Sequence, residues 1–299
     1  MGFVRRERRC GLDEMAAAID WAPLAARLDA ISPPGRGEPG WPPLALFRAL
    51  LLGQWYDLSD VQLAEALDDR ASFRRFCGFA ASEDVPERTA FVRFRGALVR
   101  RRLEGALFAE VVRQLDARGL TVRTGTLVDA TMVRAASDRD RQAGWKCYGK
   151  DAPAKGYKAH VATDESGSIV RRVVVTPANR HDSQGFAPLI ERRPGRVWAD
   201  SAYDNGAVRA QVRGRGEDRI MRRVDKRSGP RLNAAKRAWN ASIHPVRCSI
   251  EKVFGTVKRS YGLARARYLG RRRVSLQVHL ALLAYNLRRA ATLLRQAPA

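Results

Sequence analysis

Cysteine is scarce in this 299-residue chain. Cys10, Cys77, Cys147 and Cys248 are scattered and form no Cys-x-x-Cys pair, which argues against a thiolate zinc site and a disulfide framework and fits a reducing compartment. Long apolar runs are missing too, since no uninterrupted stretch approaches the ~18 residues a membrane-spanning helix needs. Met1–Arg9 is basic but no apolar segment follows it, so no secretory signal is expected and the chain reads as cytoplasmic. Internal repeats and low-complexity tracts are absent. Negative charge is the most informative shortage. Asp and Glu number 31 against 55 Lys and Arg, a net charge of +24. From Glu191 to the end there are 26 basic and 7 acidic residues, and no acid follows Glu251. A solvated basic surface would account for part of this, but so lopsided a tail favours a nucleic-acid footprint.

Apolar residues make up 45% of the chain, enough for a sizeable core. The length allows one large domain or two ordinary ones, and the patterns divide it near residue 120. Up to that point the sequence reads as helical. Pro33, Pro34, Gly35 and Gly37 mark a loop. Pro42 and Pro43 open a helix over Leu44–Trp55, and Ser59 with Gln62 makes a capping box for a helix over Asp60–Leu67. Thr89–Leu115 reads as a third helical segment carrying Arg93, Arg95, Arg100, Arg101 and Arg102. Residues 1–120 therefore suit a helix-turn-helix-like DNA reader and, about equally, a plain helical bundle.

Past Gly119 the pattern turns to strands. Leu127–Met132, Tyr157–Thr163 and Ile169–Thr176 are short, apolar or alternating, with a turn over Asp164–Ser168 that contains Gly167. A helix over Asp182–Leu189, a buried strand over Arg196–Ala199, a helix over Asn205–Val212 and a fifth strand over Ile220–Val224 follow. Two long helices, Val246–Tyr261 and Val274–Leu294, close the chain. The expected class is α/β: an RNase H-like mixed sheet flanked by helices over residues 121–299, behind the N-terminal helical domain. Val133–Gly156, with Asp138, Asp140, Trp145, Lys146, Tyr148, Gly149 and Lys150, fits neither period and reads as mobile surface or a flap that handles DNA.

Three acids stand out. Asp129 lies mid-strand, where a carboxylate is disfavoured and needs a partner; the bland alternative is an edge residue pointing to water. Asp200 ends the strand Val197-Trp-Ala-Asp200 and, taken alone, reads as a turn or helix-cap carboxylate. Glu251 sits on a helix whose wheel sets Arg247, Glu251 and Lys258 on one polar stripe spanning about 40°, with Ile250, Val253, Phe254 and Val257 beside it as a buried face. An Arg247–Glu251 pair one turn apart is the ordinary alternative. Together the three acids suit hard cations, because Mg²⁺ prefers carboxylate and water oxygens, and two ions about 3.5–4 Å apart serve phosphoryl transfer. His181-Asp182 lacks the second His cluster of a metal-hydrolase pair, and Asp182 is expected as a helix N-cap. His160 and His279 are expected to be ordinary buried or surface histidines. Trp145, Trp198 and Trp239 are expected to pack in core or loops.

The run His244-x-x-Arg247-x-x-x-Glu251-x-x-x-x-x-x-Lys258 resembles the Tyr-(2)-Arg-(3)-Glu-(6)-Lys signature of bacterial insertion-sequence DDE transposases, with His in place of Tyr. Leu127-Val-Asp-Ala-Thr131, Gly156-Tyr-Lys-Ala-His160, Val175-Thr-Pro-Ala-Asn179 with His181-Asp182, Ala199-Asp-Ser-Ala-Tyr203 and Leu283-Ala-Tyr-Asn-Leu287 are similar to motifs of insertion-sequence family five, in the right order. The resemblance covers residues 41–295. It implies Asp129, Asp200 and Glu251 as catalytic metal ligands for Mg²⁺ or Mn²⁺, as two ions. It also implies cleavage at transposon inverted repeats and strand transfer into target DNA by an assembled homodimer associated with the nucleoid. Arg247, Lys258, His244, Lys155, Lys158, Arg93 and Arg95 are the residues expected at the DNA. A catalytically silent DNA-binding descendant and a stand-alone nuclease are the alternatives.

Overall fold

The computed structural model describes residues 11–31, 40–148, 151–166 and 169–296. The basic N-terminal arm, the Pro33–Gly37 loop, Gly149, Lys150 and the Gly167 turn lie outside the described residues. The chain forms two compact units, Met1–Ala117 with Leu283–Ala299, and Arg118–Leu282.

The first unit is helical. Its helices are α1 (Gly11–Ala17), α2 (Ala22–Leu28), α3 (Pro43–Trp55), α4 (Asp60–Asp69), α5 (Ala71–Cys77), α6 (Arg88–Arg101) and α7 (Glu104–Ala117). Pro43 begins α3 where its missing N–H costs nothing. The Ser59–Gln62 capping box that opens α4 is formed in both directions. The helical segment over Thr89–Leu115 comprises two helices, because Arg102 adopts a left-handed conformation (φ 53°) that ends α6. Their core is aromatic and aliphatic: Phe47, Leu51, Trp55, Phe73, Phe76, Phe91, Leu98, Phe108 and Val111 are all buried.

The second unit is built on a mixed sheet of β1 (Gly125–Arg134), β2 (Gly144–Tyr148), β3 (Asp151–Asp164), β4 (Val170–Pro177), β5 (Gly195–Ala199) and β6 (Gly216–Ile220). The path runs β2-β3-β1-β5-β6, with β4 also on β3. Pairing is antiparallel among β1, β3 and β4, and parallel from β1 to β5 and β5 to β6. The packed face is Val128, Ala162, Phe186, Leu189, Val197, Ala199, Tyr203, Val208, Val212 and Ile220. Helix α8 (Gly206–Val212) is capped by Asn205, whose Oδ1 accepts from the Val208 N–H at 3.0 Å.

Four expectations change here. Val133–Gly156 is not a free flap: it holds β2 in a hairpin with β3, and buried Asp140 accepts from the Tyr157 hydroxyl (2.8 Å) and the Gly270 N–H (3.0 Å). Asp182–Leu189 is two short 3-10 turns, where the Gly185 backbone packs so closely on the His160 ring that a Cβ would lie 2.4 Å from it. The fifth strand is Gly216–Ile220, an outer strand held by main-chain pairing of a polar sequence rather than by an apolar run. The Val246–Tyr261 helix is divided. Helix α9 (Pro230–Arg247) contains Pro245 and ends at Arg247, and α10 (Ser249–Ser260) starts anew after Cys248. The last helix, α11 (Arg271–Gln296), begins in the second unit and ends in the first, so the C-terminal stretch does not all belong with the sheet. None of the described helices is long and apolar enough to cross a membrane.

Candidate active site

Asp129 occupies the middle of β1, opposite Val161 of β3. On its other side β1 runs parallel to β5, with Val128 level with Ala199. One step further along both strands come Asp129 and Asp200. In-register parallel neighbours point to the same face, with the strands about 4.8 Å apart, and the charge of Asp200 acts on the Asp129 carboxyl. Helix α10 packs its buried Ile250, Val253, Phe254 and Val257 against the sheet and contacts β1, which leaves Glu251 at its edge.

Arg247 ties two of the acids together. Its Nη2 donates to Asp129 Oδ2 at 2.8 Å, and its Nη1 donates to Glu251 Oε1 at 2.6 Å. Asp129 Oδ1 accepts from the Ala130 N–H at 2.8 Å. Asp200 caps the short turn Ser201–Tyr203 by accepting from the Ala202 N–H at 2.8 Å. The cap reading of Asp200 is therefore met. The pair expected between Arg247 and Glu251 is present, and the same guanidinium also reaches a strand far away in sequence. Arg247 is the last residue of α9 and Glu251 lies in the first turn of α10, so this pair spans the break at Cys248.

Burial dominates the electrostatics. Asp129 is 9% exposed, and burial pushes its carboxyl up to about 6. Arg247 and the Ala130 N–H oppose that shift; Asp200 and Asp182 add to it. Burial alone would lower Arg247, but Asp129, Asp200 and Glu251 outweigh it and raise the guanidinium. Tyr203 lies beneath the acids, fully buried. Its phenol is raised well above its ordinary value by burial and by Asp129, Asp182 and Asp200, and its hydroxyl has no hydrogen-bond partner among the described residues. Sequence reasoning singled out Tyr203 only inside a motif; no periodicity marks a tyrosine placed under a charge cluster. Among the described residues no three of His, Cys, Asp and Glu stand close enough to hold a metal ion; Arg247 bridges the ground between Asp129 and Glu251. The donor chemistry still suits a hard cation, which prefers carboxylate oxygens, and Asp129, Asp200 and Glu251 all act electrostatically on Arg247.

The DNA-facing candidates separate into two sets. Lys158 is 5% exposed, and its ammonium donates to the Arg180 carbonyl and pairs with Asp182, both at 2.7 Å. It is a structural lysine rather than a phosphate contact. Asp182 is accordingly an ion-pair partner, and the cap of its turn is His181. Arg95 is committed to Asp60, linking α6 to α4, and is not open to DNA. Arg93 is exposed, near Glu87 and Thr89. Lys155 donates to the Asp138 carbonyl and lies 5.8 Å from the centre of the Trp145 ring; Trp145 is 53% exposed rather than packed. Trp198 is buried, and Trp239 donates to the Ile220 carbonyl at 3.0 Å. Lys258 lies near Arg134, and burial followed by that neighbour lowers its ammonium. His244 is exposed, with Nδ1 2.6 Å from Cys248 Sγ. His160 and His279 are buried and lowered to about 4 by that burial.

The family described as "Transposase DDE domain" matches residues 120–287. This chain belongs to the DDE transposases. A second family, "Transposase domain (DUF772)", matches residues 4–97 of the transposase. Among solved structures it is similar to piggyBac transposase in a synaptic complex with hairpin DNA, at 10% identity and a TM-score of 0.49, covering 94% of this chain and 72% of that one.

Proposed function

We propose that this transposase uses Asp129, Asp200 and Glu251 as a carboxylate triad to cut DNA at the inverted repeats of a mobile element, and then joins the freed 3′-hydroxyl to target DNA. The observation that supports this most is that Arg247 bonds Asp129 of a strand and Glu251 of a facing helix at once, with the charge of Asp200 acting on the same guanidinium. The sheet order, three antiparallel strands followed by two parallel ones, supports an RNase H-like reading of the second unit. The signature Arg247-Glu251-Lys258 supports placement in the Tyr-Arg-Glu-Lys group of insertion-sequence family five. The N-terminal helices would read the ends, with two copies pairing them.

Asp129, Asp200 and Glu251 would hold Mg²⁺ or Mn²⁺, whose chemistry when bound is to activate the attacking oxygen and stabilise the leaving one. The chain's own residues set the stage. Arg247 keeps a buried Asp129 ionised near neutral pH and fixes its Oδ2. The Ala202 N–H orients Asp200. Glu251, with its side chain 55% exposed, sits in the first turn of α10, where the helix dipole favours negative charge. Lys258 and Arg134 present positive charge to phosphates beyond the cut.

The test is cleavage of DNA carrying the element's own inverted repeats, with Mg²⁺ and purified full chain. Nicks at the repeat tips are expected, and Asp129→Asn or Glu251→Gln should stop them while sparing binding. Full cleavage by either variant overturns the triad. Binding without cutting under every divalent ion makes the protein a silent DNA binder. Cutting without a repeat requirement makes it a nuclease.

A further inference from the structure

The parallel strands β1, β5 and β6 have two ends, and only one carries the acids. At the other, an open cavity of about 610 Å³ is lined by Arg123, Arg192, Arg193 and Arg215 with Gly195 and Gly214. No carboxylate is among its lining residues. The acids close by in sequence or space are engaged elsewhere: Glu191 with Arg171 (2.5 Å) and Arg172 (3.7 Å), Glu165 with Arg196 (3.0 Å), and Glu217 with Arg219. Arg192, Arg193 and Arg215 are exposed and make no ion pair among the described residues, so nothing in the fold repays gathering them. Between them the surface is bare main chain. Gly195 and Gly214 both have left-handed backbones (φ 67° and 74°), and a Cβ on Gly195 would lie 2.2 Å from the Thr124 carbonyl. A side-chain-free floor ringed by guanidinium groups is suited to close, two-pronged contact with phosphate oxygens.

We propose that this arginine-ringed cavity is a second DNA-backbone docking site of the transposase, remote from the cut. Asp129 and Asp200 lie four and five residues along from Gly125 and Gly195 at the strand starts, roughly 13–17 Å at strand rise. A phosphodiester backbone fits better than a single anion, because the cavity is open and its cations are spread around the rim. The site rests on the DNA-acting reading but is tested by binding alone, so the two can fail separately.

The experiment measures affinity of the full chain for a labelled duplex of arbitrary sequence across a salt series, for the wild type and Arg192→Gln/Arg193→Gln/Arg215→Gln. Each phosphate contact contributes about 0.9 to the log–log salt slope. Loss of three lowers that slope by roughly 2.7, so the variant loses about 40-fold less affinity than the wild type over a fourfold rise in salt. The corresponding triple Arg→Lys variant should keep the slope, and matched thermal unfolding shows that folding is intact. An unchanged slope in the Gln variant overturns the site, whether or not the protein cuts DNA. So does saturable binding of inorganic phosphate that the Gln variant abolishes while its duplex affinity stays at the wild-type level. A reduced slope in a protein that cuts nothing leaves the docking site standing and removes the enzyme reading.

Discussion

Replacing Asp129 by asparagine is expected to do two opposite things: abolish cleavage and make the metal-free protein more stable. The reasoning starts from the buried carboxyl, whose folded pKa of about 6 stands above the ~3.9 of an unfolded aspartate. A raised pKa means that the folded state holds the proton more tightly. The stability it contributes is fully present below pH ~3.9 and is lost as pH rises through 6. Above that the ionised group weakens the fold by a constant amount, at about 1.36 kcal/mol per pH unit over roughly two units, or on the order of 3 kcal/mol. Asparagine has nearly the same shape and never ionises, so it removes the penalty. Urea unfolding of the full chain in EDTA should therefore show the variant more stable at pH 7.5, with a gap of up to about 3 kcal/mol that closes as pH falls from 6 to 4. Adding Mg²⁺ should raise the wild type selectively and narrow the gap, by about 1.4 kcal/mol at ten times its Kd. A variant less stable than the wild type at neutral pH, or a gap independent of pH, refutes the argument that Asp129 is held charged against its burial.

Further outcomes follow from the surrounding packing. Lys158→Met strips the ammonium from Asp182 and should cost about 1–3 kcal/mol by denaturant unfolding, less than a fully buried pair because Asp182 is partly exposed, whereas Arg93→Ala should stay within about 0.5 kcal/mol. Gly185→Ala drives a methyl into the His160 ring, and a loss of about 1–3 kcal/mol in the same assay is expected. His160 and His279 have depressed pKa values of about 4, so their contribution is present above the unfolded value of ~6.5 and is lost as pH falls toward 4. It outweighs the gain from Asp129 over that window. His279→Phe should visibly flatten the acid limb of the stability–pH curve.

Much of this arrangement could be read from the residues. The Ser59–Gln62 capping box, the apolar face of α10 and the strands β1, β3, β4 and β5 were legible because each depends on neighbours in sequence. What escaped depends on partners far away. No local signal separates Lys158 and Arg95, which are paired with Asp182 and Asp60, from solvated basic residues. The β2–β3 hairpin carries a register shift between Lys146 and Tyr148 and an exposed Trp145, so its alternation is broken. Arg102 ends α6 in a left-handed conformation without the glycine that usually announces one. Pro245 was visible, but it lies inside a helix that ends two residues later, and the consequence for Arg247 appears only in three dimensions.

That consequence explains why arginine stands at 247. Two nitrogens of one planar group serve two carboxylates at once, Nη1 on Glu251 and Nη2 on Asp129, a division that the compact charge of a lysine does not reproduce. Because the same guanidinium is counter-ion to a strand and to a helix, it couples the position of α10 to the charge at the sheet. Any cation drawn between the acids competes with Arg247 for them, so occupancy of the site and the seating of Glu251 must change together.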